Sequence, residues 1–183
     1  MSGPEGIPRL ETLTRICLTG PECTGKTRLA EELATRFDTV WVPEFAREYA
    51  LRVNRALTVQ DVDPIAEGQL AFEERAAPLA IHRLILDTDL ISTVVYSRHY
   101  YGTVPAWIAR AAAARLADLY ILLAPDCPWT PDPARDPTPT ARPALYEAFA
   151  RMLAEHGARV VRVGGGWEER GREAVRAVEG MGG

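Results

Sequence analysis

Gly20-Pro21-Glu22-Cys23-Thr24-Gly25-Lys26-Thr27 satisfies G-x-x-x-x-G-K-[ST] at every fixed position. Glycines at the two ends of such a loop let successive backbone N–H groups turn inward. The dipole of the helix that follows adds positive potential where a phosphate would sit. A lysine at position 26 suits the β and γ phosphates of a nucleotide such as ATP, and a threonine hydroxyl at position 27 suits a Mg²⁺ ion that bridges phosphate oxygens. Gly20, Glu22, Cys23, Thr24, Gly25, Lys26, Thr27 and the adjoining Arg28 are therefore the expected nucleotide contacts. Composition singles out the same place. Of the 21 Lys and Arg residues, Lys26 is the only lysine, at a position where a compact ammonium works and a planar guanidinium fork does not.

Carboxylates stand where such a loop would need them. The apolar run Leu84-Ile85-Leu86 delivers Asp87, the expected metal-side carboxylate beside Thr27. Asp89 follows two residues on and has two readings, a contact to a substrate hydroxyl or the N-cap of a helix starting at Leu90. Glu44, just past a second short apolar run and preceded by Pro43, is placed to take the proton from an attacking hydroxyl, with Arg47 one turn later as a substrate contact. Either Glu44 or Asp89 could serve as the base. An ordinary surface pair within one helix would also account for Glu44 and Arg47.

Between Pro125 and Pro143 lie seven of the fourteen prolines and only two cations, Arg135 and Arg142. That composition predicts a mobile surface loop, at most a short helix, able to close over a nucleotide and bring guanidinium groups to its terminal phosphate. Tyr96, Tyr100, Tyr101 and Trp107 are candidates to flank an acceptor pocket. Core packing explains Tyr96 and Tyr100 more simply, since helical spacing puts them on one face.

The elements needed to position these groups are legible in the pattern. Strands are expected at Leu13–Thr19, Thr39–Val42, Arg83–Leu86, Asp118–Leu123 and Arg159–Val163, alternating with helices through Phe37, at Glu44–Val53, Asp61–Ala80, Leu90–Tyr101 and Pro105–Leu116, one before the last strand and one at Trp167–Val178. Such alternation implies a parallel sheet covered on both faces, with ligands beyond the carboxyl ends of its strands. The expectation is a three-layer α/β fold in one domain, residues 1–183.

Composition excludes several classes. With 47% hydrophobic and 25% charged residues the chain has an ordinary globular balance. A net charge of -4 argues against general nucleic-acid binding, and no apolar run reaches membrane-spanning length. The first ten residues lack an export signal, so a cytoplasmic location is expected. Neither Cys17, Cys23 and Cys127 nor His82, His99 and His156 have metal-ligand spacing. An AAA+ motor is disfavoured because the chain has little length for a helical lid domain.

Taken together, GPECTGKT at 20–27, PEFAREY at 43–49, IAEGQ at 65–69, LDTDLIST at 86–93 and DLYILLAPDCPWTPDPAR at 118–135 resemble the ribosylnicotinamide kinase domain of bacterial NadR-type proteins and the stand-alone NadR-like P-loop ATPases. The resemblance runs from Ile16 to about Val163. It implies a P-loop kinase fold with strand order 2-3-1-4-5 and ATP- and Mg²⁺-dependent phosphorylation of the 5′-hydroxyl of nicotinamide riboside. By position it puts Glu44, Arg47, Asp87 and Asp89 around the acceptor and metal, and Trp129, Asp132 and Arg135 in a lid. Two positions depart from the family pattern, Pro43 where the family carries Trp and Pro133 where it carries Gly. Another nucleoside or vitamin-like alcohol as acceptor, or a non-catalytic nucleotide switch, are the alternatives.

Overall fold

The computed structural model describes residues 13–128 and 139–181. Five strands, β1 (Thr14–Thr19), β2 (Trp41–Val42), β3 (Arg83–Asp87), β4 (Leu119–Leu123) and β5 (Val160–Val163), form one sheet in the order β2-β3-β1-β4-β5. Every pairing is parallel. The expected strand order is therefore observed.

Strands buried on both faces carry near-continuous apolar runs, and the two-residue period divides each run between two cores. Ile16, Leu18, Ile85, Leu119, Ile121 and Leu123 point to one face. There they meet Leu29 and Leu33 of α1 (Lys26–Arg36) and Ala174 and Val178 of α7 (Trp167–Glu179). Cys17, Leu84, Leu86, Tyr120 and Leu122 point to the other. Their partners come from α3 (Val62–Ala76), α4 (Leu90–Tyr101), α5 (Ala106–Ala114) and α6 (Arg142–Glu155), while α2 (Phe45–Val53) packs on α3.

Most boundaries lie within a residue or two of expectation. The exception is the helix expected over Asp61–Ala80. It breaks at Ala76 and continues as a 3₁₀ turn, Ala77–Leu79, because Pro78 has no N–H with which to extend the α ladder. The proline-rich segment also ends earlier than expected, since a 3₁₀ turn spans Pro139–Ala141 and α6 begins at Arg142. No helix among the described residues is long and apolar enough to cross a membrane.

Candidate active site

β1, β2 and β3 deliver their last residues to the same edge of the sheet. β1 runs into the phosphate loop, where both glycines are required by geometry. Gly20 has φ +128°, and a Cβ there would meet the Leu123 carbonyl oxygen at 2.8 Å. Gly25, at φ +88°, caps α1 and would press a Cβ to within 2.7 Å of the Trp167 ring. Cys23 between them is also left-handed, at φ 54°. The Thr24 hydroxyl donates to Pro21 O at 2.9 Å, and Lys26 Nζ donates to Gly20 O at 3.0 Å and Pro21 O at 2.7 Å. The ammonium thus stays on the loop, held by the carbonyls of its first turn.

Two arginines brace this loop from outside it. Arg142, only 5% exposed at the start of α6, donates to Cys23 O at 3.3 Å and Cys127 O at 3.2 Å. Arg170 of α7 is buried, reaches Thr24 O at 3.5 Å and Ala124 O at 3.2 Å, and pairs with Asp126. The expectation for Arg142 was a lid guanidinium directed at the terminal phosphate. In the structure its two Nη groups donate to backbone carbonyls, one in the phosphate loop and one just after β4, while its Nε has no hydrogen-bond partner. Arg170 was not singled out in the sequence, because nothing local marks a helix arginine that packs under a loop over a hundred residues away.

At the end of β3 the Thr27 hydroxyl donates to Asp87 Oδ2 at 2.5 Å, while Asp87 Oδ1 is buried without a hydrogen-bond partner. Burial pushes the Asp87 carboxyl upward, opposed by the Lys26 ammonium, the Thr27 hydroxyl and the nearby Arg47. A hydroxyl and a carboxylate with one oxygen to spare are the hard oxygen donors that Mg²⁺ uses, so these residues fit the ion. Thr88 then adopts φ 72°, rare for a β-branched residue, and turns the chain so that Asp89 faces inward. Asp89 Oδ1 accepts from Ile91 N at 2.9 Å as the cap of α4, and Oδ2 accepts from the Tyr120 hydroxyl at 2.5 Å. Burial raises its carboxyl to about 6, partly offset by the Tyr120 bond. The capping reading of Asp89 is the one the packing favours. Both of its oxygens accept from protein partners, and its neighbours Thr88 and Ser92, though not Asp89 itself, line the adjoining cavity.

That cavity, about 760 Å³, opens beside the loop and has the size of a small-molecule site. Glu22, Glu44, Arg47, Tyr96, Tyr100 and Tyr101 are among its walls. Glu44, half-buried, sits at the N-cap of α2. Tyr96 and Tyr100 lie nearly parallel, 4° between planes at 6.1 Å, and Tyr96 meets Phe149 edge-on at 5.7 Å, so it serves the core and the cavity wall at once. Trp107, the fourth expected aromatic, is elsewhere: its Nε1 donates to Asp63 Oδ1 at 2.5 Å. Arg28 lies on the exposed side of α1, bonded to Glu32 at 3.1 Å and stacked 3.9 Å over the Trp167 ring. Trp129, Asp132 and Arg135 fall outside the described residues.

Gln69 closes the IAEGQ segment. It is 2% exposed, and its Oε1 accepts from Phe45 N at 2.9 Å, fixing the first turn of α2 next to Glu44. A lone amide on the apolar side of a helix was the available signal. Among the described residues no cluster of three or more His, Cys, Asp or Glu forms a separate metal site.

Comparison with known proteins agrees with the fold. The trifunctional NAD biosynthesis/regulator proteins NadR of Salmonella typhimurium and Escherichia coli are each 28% identical over 153 residues, 81% of this chain. The chain spans 37% of the length of those relatives. A crystal structure of NadR in complex with NR superposes with TM-score 0.77 at 26% identity, covering 92% of this chain and 50% of the other. NadR in complex with NAD and AMP-PNP also gives 0.77, at 27% identity, over 92% and 49% of the two chains. Thymidylate kinase from Candida albicans shares the fold, with TM-score 0.65 at 15% identity over 92% of both chains. A family model described as an AAA domain matches residues 15–170. The residues it covers are the sheet, the phosphate loop and their helices. With most of its length inside that match and its strands in the order of the P-loop kinases, the chain belongs to the AAA_28 family of P-loop domains.

Proposed function

We propose that the protein is an ATP- and Mg²⁺-dependent kinase that phosphorylates the 5′-hydroxyl of nicotinamide riboside, yielding the mononucleotide. The observation that carries this reading is the placement of a small-molecule cavity, with Glu44 in its wall, beside the Thr27–Asp87 pair of a phosphate loop. Likeness to a NadR–NR complex over 92% of the chain supports the choice of acceptor.

In this reading the loop amides and Lys26 bind the β and γ phosphates, and Thr27 and Asp87 hold the metal. Bound there, Mg²⁺ would offset the charge on the phosphate oxygens. Glu44 accepts the proton of the acceptor hydroxyl as its oxygen bonds to the γ phosphorus, while the bond from that phosphorus to the β–γ bridging oxygen breaks and ADP leaves. Asp89 ties the start of α4 to Tyr120 of β4. Tyr96 and Tyr100 offer faces to a flat heterocycle.

A coupled assay of ADP release over a panel of ribosides tests it. Release stimulated by nicotinamide riboside above other nucleosides is the expected result. Preference for another nucleoside would move the acceptor, and nucleotide binding with no acceptor-dependent release would favour a switch and overturn the kinase reading.

A further inference from the structure

Glu22 lies inside the phosphate loop, yet its side chain has the wrong chemistry for phosphate. A carboxylate offers no hydrogen to a phosphate oxygen and repels its charge. Its surroundings show where it is aimed. The side chain is 2% exposed and belongs to the cavity wall. Oε2 accepts from the Tyr96 hydroxyl at 3.0 Å, and Oε1 has no hydrogen-bond partner. Burial and the Glu22 charge push the Tyr96 phenol well above its ordinary value, so Tyr96 remains the donor and Glu22 the acceptor.

A buried carboxylate oxygen left alone is costly, and native proteins rarely retain one without a use. A second orphan shares the cavity. Gln69 Nε2, also 2% exposed, has no partner although its Oε1 is held by Phe45 N. Two residues of the cavity wall therefore carry a buried unmet acceptor and a buried unmet donor, each on a side chain already locked by its other atom. That is a preorganised site for a ligand rich in hydroxyls.

We propose that Glu22, positioned by Tyr96, is the specificity-determining residue of the acceptor site and accepts a hydrogen bond from a secondary hydroxyl of the acceptor's sugar, with Gln69 supplying a complementary donor. This rests on the kinase reading above and assigns the Glu22 side chain to the acceptor, in place of the nucleotide expected from its position in the loop. The attacked hydroxyl remains the business of Glu44.

The test combines Glu22→Gln and Tyr96→Phe with nicotinamide riboside and its 2′-deoxy and 3′-deoxy analogues. Steady-state kinetics and calorimetry of riboside and MgATP binding are the readouts. A buried acceptor left without its hydroxyl should make the wild type discriminate against one deoxy analogue by roughly 10- to 100-fold in kcat/KM. Glu22→Gln should raise KM for the full riboside by a similar roughly 10- to 100-fold factor and shrink the deoxy discrimination to within about 3-fold, while KM for ATP stays within about 2-fold. Tyr96→Phe keeps the carboxylate but frees it, and should give an intermediate loss. Retained MgATP binding shows that the variants are folded. If Glu22→Gln cannot bind MgATP, the tyrosine variant carries the same comparison. Equal discrimination in wild type and both variants, or an equal rise in KM for ATP, would overturn the assignment while leaving the kinase reading intact. A wild type that neither binds nor phosphorylates any riboside would sink both.

Discussion

Replacing Arg142 by Met separates two jobs that an arginine beside a phosphate loop can hold. The side chain is 5% exposed and donates to Cys23 O at 3.3 Å and Cys127 O at 3.2 Å, tying α6 to the loop. Hydrogen bonds from a charged donor contribute about 1.5–3 kcal/mol each. Removing a buried guanidinium, one whose Nε is itself unpartnered, returns part of that as relieved desolvation. A net loss of about 2–4 kcal/mol is expected. For a chain of this size it lowers the melting temperature by about 5–15 °C. The left-handed Cys23 loses a restraint on its carbonyl, so MgATP affinity should fall about 10-fold, equivalent to about 1.4 kcal/mol. Arg142→Lys should recover little of either, because one ammonium cannot span two carbonyls as a planar fork does. Differential scanning calorimetry and isothermal titration with MgATP measure the two effects, and ADP release gives kcat. An unchanged melting temperature and affinity with a drop of about 100-fold or more in kcat would refute the bracing argument and restore the lid role that the proline-rich composition suggested.

Other perturbations follow from the same geometry. Asp87→Asn keeps an acceptor for the Thr27 hydroxyl but removes the charge. Turnover should fall by about 10²–10³-fold or more while metal-free nucleotide still binds, and wild-type kcat in this variant would reject the metal assignment. Asp61 accepts from Arg55 at 2.7 and 2.8 Å, from Thr58 N at 2.7 Å and from Tyr49 at 2.9 Å, and Arg55 holds its carboxyl well below the usual range. A depressed folded-state value stabilises above the unfolded carboxyl value near ~4 and loses that contribution as pH falls. Asp61→Asn should therefore melt several degrees lower than wild type at pH ~7, with the gap closing towards pH ~2.5; a gap constant across that range would contradict it.

What could be read in the sequence was what is local. The phosphate loop is a contiguous pattern, and the buried strands announce themselves as apolar runs because both faces are covered, so a parallel sheet and the positions of Glu44 and Asp87 at its edge followed, while the strand order came only with the family resemblance. What escaped depends on contacts between distant segments. Asp87 and Asp89 look like a matched pair two residues apart, yet Thr88 in the left-handed region and a hydroxyl from Tyr120 on β4 send the second one inward. Arg142 looked like a loop cation because its neighbours are prolines, whereas α6 starts at that residue and the Cys23 carbonyl, 119 positions earlier, claims its guanidinium. Glu22 was counted with its loop because sequence gives a residue's position and not the direction of its side chain. Tyr96, 74 residues away, sets that direction.

Lys26 supplies the only primary amine on any side chain of this protein, and it is tucked against two carbonyls at the mouth of β1. Amine-directed acylating or sulfonylating reagents therefore have a single side-chain target, and it coincides with the phosphate grip. Covalent labelling, which on most proteins scatters over a dozen surface amines, here becomes a site-specific reporter of whether that grip is engaged.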